Sequence, residues 1–121
     1  MDVELITGLH GRALCRRQEE AAARIALLVK DQRQDEANLL KAKRNVYGHL
    51  KEALAAFERQ GHDVLEKYVE LMHQLEAAWT GAAELAARYQ DARRLAVEEV
   101  KLEALKDAMA LLQEETGEGE A

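Results

Sequence analysis

The chain has 121 residues, with no proline and a single cysteine, and it carries a net charge of −6 at pH 7. This length is enough for one domain with a modest core. Abundant Ala, Leu, Glu and Arg favour helix, and no β-branched run alternates with polar residues as a surface strand would. We therefore predict an all-α protein.

The distribution of charge argues against a nucleic-acid-binding protein. Residues 1–60 hold 11 Lys or Arg and 9 Asp or Glu, a balance of +2, whereas residues 61–121 hold 6 and 14, a balance of −8. A nucleic-acid binder concentrates basic residues on one face. The densest basic cluster, Lys41 to Arg44, has no interleaved aromatic residue, and we interpret it as a solvated helix face.

Hydropathy and cysteine content predict a cytoplasmic protein that does not enter a membrane. The longest strongly apolar run, Ile25 to Val29, is far shorter than the roughly 20 residues that span a bilayer. The first residues lack the basic segment followed by an apolar one that marks a signal peptide. The lone Cys15 cannot form an internal disulfide, and we expect it in the core or at its boundary.

The first predicted element is one long helix from about residue 12 to about residue 59, preceded by a boundary at Gly8 and Gly11. At 100° per residue, its apolar residues fall in a single stripe. A polar gap containing Gln32, Glu36 and Lys43 interrupts this stripe. The stripe consists of Leu14, Ile25, Leu28, Leu39, Val46, Leu50, Leu54 and Phe57.

A corner is predicted at Gly61–Asp63. Gly61 suits the left-handed conformation that ends many helices. Asp63 can cap the next helix, with Glu66 three residues later as in a capping box. The chain should therefore fold back on the long helix at this point.

The second half is predicted to form two or three shorter antiparallel helices. Its two apolar stripes, Leu65 to Trp79 and Leu95 to Leu112, are out of phase on a straight helix. We place candidate breaks at Trp79–Gly81 and at Asp91, which could cap a new helix. Residues 1–115 would form a single helical domain, a hairpin or bundle, and the acidic residues 116–121 a disordered tail.

The segment Ala78 to Leu85, "AWTGAAEL", resembles the Trp-x-Gly signature of the WXG100 family of small secreted helical-hairpin proteins. The resemblance implies a central turn at Trp79–Gly81 and a secreted or secretion-linked function. The other interpretation is that Trp79 anchors the core and Gly81 lies near a helix start. The family's Tyr-x-x-x-Asp/Glu export signal does not follow in the last predicted helix.

No motif predicts catalysis. Glu70 and His73 have the Glu-x-x-His spacing of di-metal helical proteins, which use two such pairs, and the chain contains no second one. His62 and Glu66 lie one turn apart, but two ligands do not close a metal site. We assign no catalytic, cofactor-binding or metal-binding residue, and name Tyr47, Tyr68, Trp79 and Tyr89 as packing anchors.

These features favour a non-enzymatic protein–protein interaction or assembly module, such as an adaptor or small chaperone, over the WXG100-like alternative. The predicted partner is a second copy of the chain or another helical protein. A specific model of the first is a homo-oligomer in which two copies of the long helix pair antiparallel about Leu39–Leu40. A two-fold contact is self-complementary. This register would pair Glu36 with Lys43, Val29 with Leu50 and Ile25 with Leu54.

Overall fold

The computed structural model describes residues 2–117, and their regular structure is entirely helical. The helices are α1 (Val3–Lys30), α2 (Gln34–Gln60), α3 (Val64–Arg88) and α4 (Ala92–Thr116). They have similar lengths and pack as a four-helix bundle. The all-α prediction is confirmed.

The bundle consists of two antiparallel hairpins, α1–α2 and α3–α4, joined by a corner at residues 61–63. The turn inside each hairpin has only three residues, so neighbouring helices run in opposite directions. The hairpins meet mainly through α2 and α4. Lys43 and Tyr47 of α2 reach Glu103 and Asp107 of α4, which shows that these two helices run parallel.

The single long helix predicted over residues 12–59 is wrong, because the chain turns back at Asp31–Arg33. Gln32 adopts the left-handed conformation at φ 61°, and the Arg33 amide donates to the Leu28 carbonyl at 2.8 Å. The polar gap in the apolar stripe is this turn. Counted at 100° per residue, the stripe stays in phase across the three-residue turn, and its two halves face each other inside one hairpin.

The corner at Gly61–Asp63 is confirmed. Gly61 has φ 83°, and its amide donates to the Phe57 carbonyl, so it ends α2 in the left-handed conformation. Asp63 precedes α3 as predicted, but its backbone is also left-handed, at φ 52°, and its side chain makes no capping hydrogen bond. The turn of the chain therefore depends on backbone conformation more than on a capping carboxylate.

The other predicted boundaries have mixed outcomes. Asp91 caps α4 as predicted, accepting a hydrogen bond from the Arg94 amide at 3.1 Å. The boundary at Gly8 and Gly11 is wrong, because Asp2 caps a helix that runs through both glycines. The break at Trp79–Gly81 is also wrong, because α3 continues to Arg88.

The two hairpins are structurally equivalent at an offset of 58 residues, the separation of His10 and Tyr68. This offset relates buried Leu14 to buried Met72. It also relates the two turns, since Gln32 and Gln90 both have positive φ and the same pattern of backbone hydrogen bonds surrounds them. In α2 and α4 the buried pairs so related are Val46 with Ala104, Tyr47 with Leu105, Leu50 with Ala108 and Leu54 with Leu112.

The two hairpins are related by an approximate two-fold axis that runs parallel to the helices. His10 and Tyr68 occupy equivalent positions and touch each other, with ring centroids 5.1 Å apart. A position that contacts its own equivalent lies at the axis. Most equivalent residues differ in type, so the relation is one of backbone and burial pattern, and not of repeated sequence.

Two of the four predicted packing anchors lie in the core. Tyr47 and Tyr68 are almost completely buried. Trp79 is half-buried against the core cluster. The prediction for Tyr89 is wrong: it lies in the turn after α3 with 73% of its surface exposed.

The antiparallel dimer register is wrong as well. Leu50 and Leu54 are buried inside the chain and cannot face Val29 and Ile25 of a second copy. Lys43 forms a salt bridge with Glu103 of its own chain. In the dimer register a partner molecule would cover Leu50 and Leu54. In the structure, the protein's own α1–α2 hairpin and α4 cover them.

One bundle contains all the described residues, with a continuous core across the four helices. Of the acidic tail predicted at 116–121, Thr116 is the last residue of α4 and Gly117 its left-handed cap. Residues 118–121 lie outside the described part of the chain.

Candidate interaction groove

A groove of about 780 Å³ runs between α3 and α4 at the end of the bundle where α3 begins and α4 ends. We call it the α3–α4 groove. Met72 and Leu112 form its buried base, and half-buried apolar side chains flank them. The lining residues are Leu65, Glu66, Val69, Glu70, Met72, His73, Met109, Leu112, Gln113 and Thr116.

The rim of the groove is acidic. Glu66 and Glu70 are exposed along one edge of α3, and the lining contains no Lys or Arg. Among residues 2–117, neither glutamate forms a salt bridge with another side chain. Nearby Lys67 bonds Gln60 instead. An apolar base with unneutralised carboxylates beside it can take a ligand that is apolar at its centre and basic at its edge.

The equivalent face of the first hairpin has no such lining. At the 58-residue offset, Leu65 corresponds to Thr7, Val69 to Gly11, and Met109 to Lys51. The two hairpins also differ in exposure here, since Thr7 is buried and Leu65 is half-buried. Leu65, Val69 and Met109 pack against the core cluster from one side and leave part of their surface open to the groove.

Three polar clusters that involve α4 hold the bundle together, and the first is centred on buried His10. The Nδ1 atom of His10 lies 2.7 Å from Glu115, and its Nε2 atom lies 2.7 Å from the Tyr68 hydroxyl. Because a carboxylate only accepts, Nδ1 donates to Glu115; in the neutral imidazole, which carries one ring proton, Nε2 then accepts from the Tyr68 hydroxyl. Burial, together with the charge of Glu115, raises the pKa of Tyr68, so its hydroxyl remains a donor.

The second cluster joins α1, α2 and α4 at mid-height. Asp107 accepts hydrogen bonds from Arg17 at 2.9 Å and from the Tyr47 hydroxyl at 2.6 Å. Partial burial would raise the pKa of Asp107, but the bonds from Arg17 and Tyr47 outweigh it and hold the pKa below its usual value. Burial and Asp107 raise the pKa of Tyr47. Asp107 and Arg17 therefore stay ionised at neutral pH, and the Tyr47 hydroxyl keeps its proton.

The third cluster surrounds Glu98, a carboxylate of α4 that is almost fully buried. Arg94 lies 3.1 Å from its Oε1 atom and Lys101 lies 3.1 Å from its Oε2 atom. The Lys101 ammonium also lies 4.7 Å from the centre of the Trp79 ring, a cation–π contact between α3 and α4. Compensation by two cations makes burial of this carboxylate tolerable.

The two Glu–His pairs that have the spacing of metal ligands lie in different surroundings. Glu70 and His73 both line the α3–α4 groove, whereas His62 lies beside Asp63 at the exposed corner. Residues 2–117 contain no group of three or more His, Cys, Asp or Glu side chains that could hold a metal ion. Cys15 is half-buried, and its thiol lies 3.7 Å from Glu19.

Sequence reasoning identified Glu70 and His73 as sharing a helix face but missed the groove that they border. Met109 and Leu112 lie in another helix, and periodicity within α3 carries no information about them. A usable signal was present in the comparison of the two halves at matched positions, since Leu65, Val69 and Met109 correspond to Thr7, Gly11 and Lys51 in the first half.

None of helices α1 to α4 has a stretch long and apolar enough to cross a membrane. Comparison of the chain with protein-family models, with curated proteins and with solved structures found no match. The α3–α4 groove is accordingly interpreted from its own geometry and chemistry.

Proposed function

We propose that the protein is a non-enzymatic helical interaction module, an adaptor or small chaperone, whose α3–α4 groove binds an amphipathic helix. The observation that supports this most directly is the apolar lining of the groove beside unneutralised carboxylates. Leu65, Val69 and Met109 are partly exposed along it, at positions where the first hairpin has Thr7, Gly11 and Lys51. An apolar groove with a charged edge is the kind of surface on which an amphipathic helix docks.

The dimensions of the groove favour a short helical ligand. Leu65 to His73 covers eight residue steps of α3, about 12 Å at 1.5 Å per residue. A bound helix can present two apolar side chains one turn apart over that length, as helix-in-groove complexes do. Met72 and Met109 suit such a ligand because methionine side chains adapt to differently shaped partners.

Charge completes the description of the ligand. With Glu66 and Glu70 along one edge and no basic residue in the lining, a helix carrying Lys or Arg beside its apolar residues gains electrostatic complementarity. An acidic helix is repelled. Exposed charges of this type act on selectivity and association rate more than on affinity.

The groove is preformed, because its base belongs to the core. Met72 and Leu112 are buried against Tyr68, Leu105 and Ala108 in one cluster, so their positions are fixed by packing before any ligand arrives. Binding then requires little ordering of the protein, which lowers its entropic cost.

Methyl NMR tests the proposal directly. The chain has three methionines, and two of them, Met72 and Met109, line the groove. The probe is a synthetic helical peptide with leucines at i and i+4 and arginines at i+7 and i+11. Titration should shift both groove methyl signals, whereas a peptide with glutamates in place of the arginines should need at least about tenfold more peptide for the same shift.

Two matched charge reversals on α3 locate the site. Glu70→Lys should weaken peptide binding about three- to tenfold, the range expected when a rim charge is reversed. Glu84→Lys, an exposed change on the same helix outside the groove, should leave binding unchanged. Equal effects of the two variants, or unchanged methyl signals at millimolar peptide, would disprove the proposal.

A further inference from the structure

The outer face of α1 carries two exposed leucines followed by two arginines at helical spacing. Leu5 and Leu9 are 56% and 39% exposed, and Arg12 and Arg16 continue the same face one and two turns later. We call these four residues the α1 stripe. Within residues 2–117, neither Arg12 nor Arg16 forms a salt bridge.

We infer that the α3–α4 groove binds the α1 stripe of a second copy of this chain. The inference rests on the proposed function of the groove and names its ligand. The stripe offers what the groove requires: two apolar side chains one turn apart and a basic flank. The unpaired Arg12 and Arg16 would meet the unpaired Glu66 and Glu70.

The lengths of the two surfaces agree. Leu5 to Arg12 covers seven residue steps, about 10 Å along the helix axis, which fits within the 12 Å of α3 that borders the groove. Leu5 and Leu9 can then lie over the apolar base while Arg12 reaches the acidic edge. Arg16, one turn further, can reach past the end of the groove because arginine has a long side chain.

The stripe cannot occupy the groove of its own molecule. The opposite face of α1 is fixed in the core by Ile6, His10 and Leu14, all of them buried. The stripe therefore points away from the bundle. Contact with a groove requires another molecule.

Another exposed apolar pair with one-turn spacing is a poorer ligand. Leu85 and Tyr89 are both exposed, but α3 ends at Arg88, so no further helical turn can carry basic residues beyond them. Of these two pairs, only the α1 stripe is followed by two arginines on a continuous helix.

An interface between two different surfaces of one chain is heterologous, so each molecule keeps a free stripe or a free groove after pairing. Such contacts form closed rings or open chains. Assembly should increase with protein concentration. It should also weaken as salt rises, because exposed charges are screened.

Complementary variants test this arrangement by light scattering coupled to size exclusion. The groove variant is Glu66→Lys with Glu70→Lys, and the stripe variant is Arg12→Glu with Arg16→Glu. All four positions are exposed, and unfolding curves can verify that each variant keeps its fold. We expect the wild-type chain to self-associate at tens to hundreds of micromolar, and each variant alone to associate at least about tenfold more weakly.

Mixing the variants gives the decisive measurement. The groove variant keeps an intact stripe and the stripe variant keeps an intact groove, and the reversed groove and reversed stripe are complementary to each other as well. An equimolar mixture should therefore associate about as strongly as the wild-type chain, with the two variants alternating. A chain carrying all four reversals should self-associate again, because both charges have changed sign. Arg24→Glu, an exposed reversal elsewhere on α1, should associate like the wild type.

Specific outcomes would overturn the inference. A wild-type chain that remains monomeric at 1 mM excludes it, as does a mixture in which the two variants stay apart. If the peptide titration still shifts the signals of Met72 and Met109 in those cases, the groove binds a different helix and the proposed function survives. If the peptide also fails to bind, both proposals fail.

Discussion

The contact between His10 and Tyr68 shows how a single pair of polar side chains fixes the arrangement of the two hairpins. Both residues are fully buried at equivalent positions, and α1 and α3 make few other contacts. Their hydrogen bond lies on the pseudo-two-fold axis, and it forms in only one arrangement of α1 against α3. Removing either partner leaves a buried polar atom without a hydrogen bond.

A double-mutant cycle should measure this coupling. Tyr68→Phe should lower the free energy of unfolding by about 1–2 kcal/mol and His10→Leu by about 2–3 kcal/mol, because each leaves the other residue's polar atom unsatisfied. The double variant should lose at least about 1 kcal/mol less than the sum of the single losses. Urea unfolding followed by circular dichroism provides all four values, and strict additivity would contradict the mutual hydrogen bond.

At the scale of helices, the residues that mark the turns explain which boundaries sequence reasoning could find. Gly61 and Asp91 are recognisable because a left-handed glycine and a capping carboxylate leave a local signal. The turn at Asp31–Arg33 has neither. Gln32 takes the left-handed conformation without being Gly or Asn, and the three-residue turn keeps the apolar stripe in phase.

The groove was less accessible to sequence reasoning than the helices. Its existence depends on how α3 and α4 sit against each other, which periodicity within one helix does not contain. The prediction of a break at Trp79–Gly81 rests on the change of phase between the two apolar stripes and on the Trp-x-Gly resemblance, and the turn at residues 89–91 accounts for that change of phase. In the structure Gly81 has open space around the position where a Cβ would be placed, and α3 passes through it unchanged.

Alanine substitution at two glycines should distinguish helix interior from helix end. Gly81→Ala should raise the free energy of unfolding by about 1 kcal/mol, because alanine favours helix and no atom obstructs its methyl group. Gly61→Ala should lower it by about 1 kcal/mol, because φ there is 83°. Thermal and urea unfolding measure both, and a destabilised Gly81→Ala would support the WXG100-like turn instead.

At the scale of the whole molecule, the two hairpins are related by the pseudo-two-fold axis. The same core can therefore form whichever hairpin comes first along the chain. In each hairpin the core takes residues from equivalent positions, among them Leu14 and Met72, Leu50 and Ala108, and Leu54 and Leu112. Each hairpin contains its own three-residue turn, and the corner at residues 61–63 joins them. Because each helix runs opposite to the one before it, the two ends of the described chain lie at the same end of the bundle as that corner.

A circular permutant should therefore fold. We would open the chain between Gly61 and His62 and join the original termini with a flexible linker. Each doubling of loop length costs about 0.6 kcal/mol, so replacing the corner with a linker about four times as long should cost about 1 kcal/mol. The permutant should unfold in one cooperative transition with wild-type helix content.

A second permutant, opened between Trp79 and Thr80 inside α3, provides the control. It should lose cooperative unfolding, because the break separates two halves of a continuous helix. Equal stability of the two permutants would contradict the described helix boundaries.

The position of the chain ends has a practical consequence for binding studies. Residues 2 and 117 lie at the end of the bundle that carries the α3–α4 groove, so a purification tag or fluorophore joined at either of them would crowd an incoming helix. Surface immobilisation through the opposite end, at a cysteine introduced in place of exposed Gln32 or Gln90, leaves that approach open. The native thiol of Cys15 should be replaced first so that coupling occurs at one site.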